Sequence, residues 1–524
     1  MRHAPLMNTT KLLTVMTLAG SLAQSQAQPI LSTTNQTLSP SPASDLERTI
    51  HDLKNPAPWI NWGGDLRVRD EYFNNALSLG VPAGAGLGFG TVHSQDYLRV
   101  RGRIGLTLFP TNDLTFNVRL AAEPRDFLEH STFDTYYNQP GLQWRYGIFD
   151  TLNVRWKNAL GLPATLTVGR QDILLGDGFL VGDGTPEDGS FTSFLDSTRL
   201  TYNLEDKKTT LDFIGIIQDA RPDGWLPTLG PSSSLGAVPG PEPLTLTDQN
   251  EKGAILWVNN KSLPYANLDG YFIYKHDRLL NSPVQTFGDN ADLYTVGGRM
   301  TGTFQDHWKY SAEGAYQFGR KQDPDLNMGG ANPWLPASAQ TTGFRDVGAY
   351  ATQEKLTYQF KDTWNDQLSL SYELLSGDNP NTKNDEMFDV LWGRWPQWSE
   401  MYNIYSYVQE TRVGQTANLQ RVGPTWTMDP TSKLQFSSSY FALFALQDSP
   451  TRDLNAVFFG NRTGAGEPFT GTGDFRGHYL QAVLKYKFNQ HVSGHLWSEF
   501  LFPGDFYLHR QAMSFFRAEF MFTL

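Results

Sequence analysis

The chain has no cysteine among its 524 residues. Disulfides, thiolate metal sites and cysteine nucleophiles are therefore excluded. Long apolar runs are also missing; none approaches the roughly 20 residues that a transmembrane helix needs. Basic residues are outnumbered, with 42 Lys and Arg against 54 Asp and Glu, for a formal net charge of −12. That balance argues against nucleic acid as a partner, because phosphate backbones are bound through basic surfaces. Catalytic signatures are scarce too. The ten histidines form no HExxH pattern, and no G-x-S-x-G elbow or Walker loop occurs. Nothing in the sequence calls for a cofactor. What is present is 13% aromatic residues and 48 glycines in a chain only 39% hydrophobic. An apolar outer wall, a polar lumen and aromatic rims would together produce such values.

The N-terminus predicts a secretory signal peptide over residues 1–27. Arg2 and Lys11 give a positive start, residues 12–22 are a short apolar core, and Ser25-Gln26-Ala27 is a small-x-small cleavage pattern. Loss of Arg2 and Lys11 moves the formal charge from −12 to −14. Residues 28–58 are expected to form a periplasmic leader, and residues 28–43 are too polar and Pro-rich to bury much. Ser44 and Glu47 have capping-box spacing, and Leu46, Ile50 and Leu53 share a face, which predicts a short surface helix over 44–54.

From Trp62 onward the pattern changes to period two. Leu98, Val100, Ile104, Leu106 and Leu108 alternate with Arg99, Arg101, Arg103 and Thr107. Strict alternation is a strand signal. Leu114, Phe116, Val118 and Leu120 repeat it against Thr115, Asn117, Arg119 and Ala121, after a tight turn at 110–113. Short turns near 110–113, 158–163, 205–208, 261–266, 304–307, 361–366, 429–433 and 487–491 alternate with nine long connections. Those connections join eighteen strands, although sixteen is admitted if single strands are misread. The fold class is thus an all-β transmembrane antiparallel barrel of bacterial outer-membrane type, over residues 59–524, with both ends in the periplasm. Its setting would be the outer membrane of a Gram-negative-type bacterium, with membrane lipid and lipopolysaccharide as its surroundings. At the C-terminus Phe516, Phe520, Phe522 and Leu524 share a face. That strand resembles the signal read by barrel-assembly machinery, with Leu524 in place of the commoner Phe.

Charge concentrates on the polar face. Asp65, Arg67, Arg69 and Glu71 alternate on the first strand, Arg99, Arg101 and Arg103 on the second, and Arg119 and Glu123 on the third. Neighbouring strands would set these into a ladder. Arg155, Arg199, Arg299 and Arg517 occupy similar positions. A guanidinium holds carboxylates bidentately and stays charged at any relevant pH. Each arginine alone could merely brace the wall; as a set they predict a cation-lined path for anions. Trp156, Tyr202, Tyr274, Trp308, Tyr358 and Tyr486 fall near strand ends and fit an interfacial girdle better than sugar-stacking platforms. The glycine-rich stretch 80–90 and the Pro/Gly/Ser stretch 222–243 are expected to be external loops.

The most distinctive stretch begins Val168-Gly169-Arg170-Gln171-Asp172 and continues GDGFLVGDGTPEDGS over 176–190. Asp-Gly repeats form turns; calcium binding by Asp177, Asp183 and Asp188 is a weaker reading, because the spacing is not that of an EF-hand. This stretch resembles the alginate export family of outer-membrane channels. So do LRVRGRIGLTLFPTNDLTFNVRLAAE over 98–123, LSGDNP over 375–380, Phe388-Asp389 and Trp392-Gly393. The resemblance runs from about residue 60 to the C-terminus. It implies an eighteen-stranded barrel whose arginine-rich lumen conducts a polyuronate. Arg67, Arg99, Arg101, Arg119, Arg170 and Arg199 would line the conduit, with Glu123 and Asp172 as acidic partners. Arg170 shares parity with outward Leu166 and Val168, so an inward Arg170 needs a bulge at Gly169.

Three functions compete. The first is a passive channel for an anionic polysaccharide, alginate or a similar polyuronate, fed by periplasmic export components. The second is uptake of small anionic or sugar nutrients. The third is an enzyme within a barrel, for which His495, Glu499 and Asp505 lie close in sequence but form no recognised motif.

Overall fold

The computed structural model of the protein describes residues 45–76, 93–128, 142–143, 147–182, 194–204, 208–219, 250–278, 280–281, 286–287, 290–322, 344–379, 381–393, 398–401, 417–448 and 470–524. The expected signal peptide, the 28–43 leader, the stretches 80–90 and 222–243, and Asp183 and Asp188 lie outside the described residues.

Eighteen long strands follow one another around a closed barrel. They are β1 (Ile60–Asn74), β2 (Ser94–Leu108), β3 (Leu114–Ala122), β4 (Gly147–Lys157), β5 (Ala164–Asp172) and β6 (Phe194–Leu204). Then come β7 (Thr209–Gln218), β8 (Asn250–Asn260), β9 (Asn267–Arg278), β10 (Asn290–Phe304), β11 (Trp308–Gln322) and β12 (Phe344–Gln359). The last six are β13 (Gln367–Leu375), β14 (Leu419–Thr431), β15 (Leu434–Phe444), β16 (Phe475–Lys487), β17 (Val492–Pro503) and β18 (Met513–Thr523). Each strand pairs antiparallel with the next, and β18 pairs with β1 through Asp65↔Thr523 to Asn74↔Ser514, so the barrel seam carries a full ladder. Closure removes the exposed edges that an open sheet of this size would present.

Alternation explains the two faces. On β2, Arg99 and Arg101 are buried while Ile104 and Leu106 are exposed. The same parity leaves Leu66, Val68, Phe116, Phe213, Phe272, Tyr316, Leu368 and Leu370 outside. An exposed apolar band running round a barrel is a lipid-facing surface, since water-soluble proteins rarely leave such a contiguous patch. Aromatic rings mark both borders of the band. At the short-turn rim Trp308 lies 5.9 Å from Phe304 and 4.9 Å from Tyr358. Towards the long loops Tyr294 lies 5.1 Å from Tyr274 and 5.5 Å from Phe318.

Helix α1 (Asp45–Lys54) caps the short-turn rim. Lys54 Nζ donates to the Leu524 carbonyl at 2.7 Å, Trp62 Nε1 donates to the Leu53 carbonyl at 2.6 Å, and Glu47 lies 3.3 Å from His491. The last residue also continues the ladder, Leu524 N donating to Gly64 O at 2.9 Å.

Alternation breaks at Gly169, whose φ is +120°. A Cβ there would lie 2.3 Å from the Leu152 carbonyl oxygen. Only glycine accepts both constraints. The break turns Arg170 inward, where it is 2% exposed. Gly169→Ala is therefore expected to destabilise the barrel by about 2 kcal/mol or more, combining left-handed strain with a backbone clash. A wild-type folded fraction for this variant in semi-native gel electrophoresis after detergent refolding would contradict the expectation.

The barrel interior is not an empty tube. Residues 173–182, after β5, and residues 376–379 and 381–393, after β13, turn into it. The two segments meet in a parallel bridge, Val181↔Trp392, with Trp392 N donating to Leu180 O at 3.0 Å. Phe179 stacks on Phe388 at 6.2 Å. Ile173, Leu175, Leu180, Val181, Phe388 and Leu391 pack there with inward residues such as Ile255, Ile273 and Leu293 in one buried apolar cluster. Part of the lumen is thus a hydrophobic core, which explains why inward apolar residues recur among the strands.

Candidate functional site

The first three strands and β18 carry a buried charge network. Antiparallel register sets Arg67 opposite Arg101 and Arg69 opposite Arg99. Like charges placed directly across a ladder repel. Carboxylates interleaved on the diagonals offset this. Asp65 binds Arg101 Nη2 at 3.0 Å and Arg103 Nε at 2.7 Å. Glu123 takes Arg67 Nη2 at 2.8 Å and Arg99 Nε at 2.9 Å. Glu71 binds Arg99 Nη1 at 3.1 Å and Arg517 Nε at 2.6 Å, and Arg69 pairs with Glu519. Arg67, Arg69, Arg99 and Arg101 are each no more than 5% exposed. The expected ladder thus exists as a wall of closed ion pairs.

Further round, bulges decide what faces inward. Between β3 and β4 the register shifts after Arg119, which pairs with Thr151, while Leu120 pairs with Phe149. Asp150 is the extra residue. It is fully buried and accepts from Arg119 Nε at 2.7 Å, while Arg119 Nη2 reaches Asp172 at 3.1 Å. Arg170 makes a bidentate pair with Asp196 at 2.7 and 2.8 Å and donates to the Phe149 carbonyl at 2.9 Å. Arg199 pairs with Asp212 at 2.8 Å, its side chain 26% exposed. Arg155 is partly exposed and has no carboxylate within ion-pair distance among the described residues. Of the nine arginines predicted for the conduit, Arg155 and Arg199 present most surface to the interior. Sequence reading overlooked Asp150, Asp196 and Asp212, because each sits beyond the first hairpin and binds its arginine across strands.

A second site is built where the inward segment 173–182 crosses to β10 and β11. Gly176 and Gly178 both have positive φ, +58° and +81°. The tight turn they make projects Asp177. Its carboxylate takes Arg299 Nη2 at 2.5 Å, Arg299 Nε at 3.1 Å and the Ser311 hydroxyl at 3.0 Å. Arg299 Nη1 is held from behind by Asp269 at 3.0 Å. Asp269 in turn accepts from Trp257 Nε1 at 3.1 Å and Asn259 Nδ2 at 2.6 Å. Trp257 stacks on Tyr271 at 4.5 Å, and the Tyr271 hydroxyl donates to Glu313 at 3.0 Å. Only the sequence position of Arg299 and the Asp-Gly turn were visible beforehand.

The remaining candidates separate. His495 pairs with Glu519 at 3.4 Å. Glu499 instead accepts from Ser399 Oγ at 2.7 Å and from the backbone N–H groups of Glu400 and Met401, both at 2.9 Å. Asp505 accepts from Phe475 N at 3.0 Å. These three side chains are thus committed to different partners. Among the described residues no cluster of His, Asp or Glu has a metal-binding arrangement.

No curated protein matches the chain by sequence. Among solved structures, Pseudomonas aeruginosa OccK8 (OprE) is similar at a TM-score of 0.50 and 12% identity, over 88% of this chain and 98% of that one. Acinetobacter baumannii OccAB3 aligns at 0.45 and 12% identity, over 88% and 99%. Pseudomonas aeruginosa OccK5 (OpdH) aligns at 0.46 and 11%, over 88% and 98%. The first of these likenesses shows a shared fold. The family comparison goes further. It matches alginate export over residues 244–518, a stretch that holds Arg299, Asp389 and the LSGDNP motif but begins well after the VGRQ segment. With more than half of its length matched, and with the eighteen-stranded barrel in place, this chain belongs to the alginate export family.

Proposed function

We propose that the protein is an outer-membrane channel through which an anionic polysaccharide, alginate or a similar polyuronate, passes passively. The observation that carries this reading is the set of guanidinium groups on the inner wall of a barrel whose family is defined by alginate export. Arg155 and Arg199 offer accessible cationic surface. The buried Arg67, Arg69, Arg99, Arg101, Arg119 and Arg170 and the half-buried Arg103, with Asp65, Glu71, Glu123 and Asp172, hold the wall and shape its potential. A moving polyanion needs many weak, replaceable contacts, because one tight site would trap it. The apolar band would face lipid and lipopolysaccharide. Periplasmic export components would deliver polymer to the short-turn rim, and the polymer gradient would set direction.

Single-channel conductance in planar bilayers tests this. Oligouronates should block the current in a voltage- and length-dependent way, and neutral oligosaccharides of equal length should block far less. Equal block by both would sink the polyanion reading. Arg155→Gln should lower chloride-over-potassium permeability, read as a reversal potential in a salt gradient, while leaving the folded fraction unchanged, because no carboxylate is stranded. An unaltered reversal potential would remove Arg155 from the conduit.

Uptake of small anionic or sugar nutrients is the second reading. The inward segments 173–182 and 381–393 favour it, since they narrow the lumen with a packed apolar cluster. Liposome swelling separates the two: a small-solute channel passes monosaccharides readily and excludes oligouronates.

A further inference from the structure

The Asp177 contact has an unusual chemistry for a loop anchor. Its carboxylate is about half exposed, whereas the Arg299 side chain that receives it is 14% exposed, and Asp269, which holds Arg299 from behind, is 3% exposed. A planar guanidinium edge and a hydroxyl, preorganised by a buried acid, make a receptor for one carboxylate group. The receptor keeps its geometry without Asp177. Asp269 fixes Arg299 from behind, the stacked Trp257–Tyr271 pair holds Asp269, and Ser311 comes from the rigid β11 strand. Gly176 lets the segment approach so closely, since a Cβ there would lie 3.2 Å from Arg299 Cδ.

We propose that Arg299 and Ser311 form a carboxylate seat for a uronate unit of the passing polymer, and that Asp177 is the intramolecular carboxylate filling that seat in its absence. The inference rests on the polyanion reading above. Exchange of one carboxylate for another leaves the charge at Arg299 unchanged at every stage. It thereby keeps the outer edge of the Arg299 guanidinium bonded to a carboxylate, while Asp269 stays on Nη1. Asp177, already half in water, loses little on release. A neutral sugar supplies no carboxylate and so cannot displace it. The seat would thus discriminate by charge while each uronate stays weakly held, because Asp177 competes for the same place.

Planar-bilayer recordings on the full chain test the seat, with trigalacturonate and neutral maltotriose as probes. Asp177→Asn removes the competing charge, so its apparent Kd for trigalacturonate should fall about tenfold, or ~1.4 kcal/mol, while maltotriose block stays as in wild type. Adding Ser311→Ala should reverse part of that gain. Asp177→Ser supplies the same readout if the Asn variant fails to insert. Unchanged trigalacturonate block in both neutral variants overturns the seat but leaves the polyanion reading standing. Equal tightening of both sugars overturns it too, since that outcome marks a rearranged pore. Absence of trigalacturonate block in wild type and variants alike overturns both.

Discussion

Glutamine in place of Glu123 is expected to weaken the barrel by about 3–5 kcal/mol, the usual cost of removing one partner from a buried ion pair. The Glu123 side chain is 2% exposed and receives Arg67 at 2.8 Å, Arg99 at 2.9 Å and Arg125 at 3.5 Å. Two of those arginines stand directly opposite other arginines, Arg67 facing Arg101 and Arg99 facing Arg69. Neutralising the diagonal carboxylate leaves both repulsions with less compensation in a region of low dielectric. Urea unfolding in phospholipid vesicles, followed by tryptophan fluorescence, measures the loss. A change below about 1 kcal/mol, the scale of exposed pairs, would mean that the network contributes little to the fold.

The second large effect is expected at Glu499. This carboxylate is fully buried, and among the described residues no Lys or Arg pairs with it. It is satisfied instead by neutral donors: Ser399 Oγ, the Glu400 and Met401 N–H groups, and Trp497 Nε1 at 2.6 Å. Three of those bonds tie residues 398–401 to the wall. Trp398 adds to the tie by packing between Phe441 at 5.8 Å and Tyr479 at 5.0 Å. Each hydrogen bond to a charged acceptor contributes about 1.5–3 kcal/mol, so Glu499→Ala should release the segment and strand its buried N–H groups. Open-channel current should rise and become irregular, with Glu499→Gln intermediate. Conductance traces indistinguishable from wild type would show that 398–401 does not narrow the pore.

Much of the architecture was legible in the residues, and particular strands show why. Along β2 the period-two pattern of Leu98 to Leu108 told the outer face from the inner one, and the exposure of Ile104 and burial of Arg101 follow it. Turn chemistry placed the short rim connections, because Pro, Asn, Asp and Gly take conformations that other residues resist. The expected turn at 429–433 is shorter in the structure, with β14 running to Thr431 and an irregular register between Met428 and Thr431. Arg170 illustrates the limit of periodicity. Alternation alone aimed it at lipid, and only the positive φ at Gly169 turns it to Asp196.

The partners of the charged residues were less legible. Glu519 was visible as one letter in a terminal strand, yet it lies beside Arg69 because β18 closes onto β1, and beside His495 across the β17–β18 ladder. Asp150 faces Arg119 only because β4 carries one residue more than β3 at the bulge.

The barrel opened by the sequence was therefore a polar tube lined with arginine. Local chemistry was enough to determine the strands, their faces, the turns and the family resemblance, since alternation and turn preference act over a few neighbouring residues. The tertiary structure alone decided that Glu519 on β18 closes the ladder against Arg69, that two segments fill part of the lumen, and that Asp177 reaches Arg299. Those contacts join residues far apart in the chain, 122 positions in the case of Asp177 and Arg299. Their pairing depends on barrel closure and register, which no local pattern encodes.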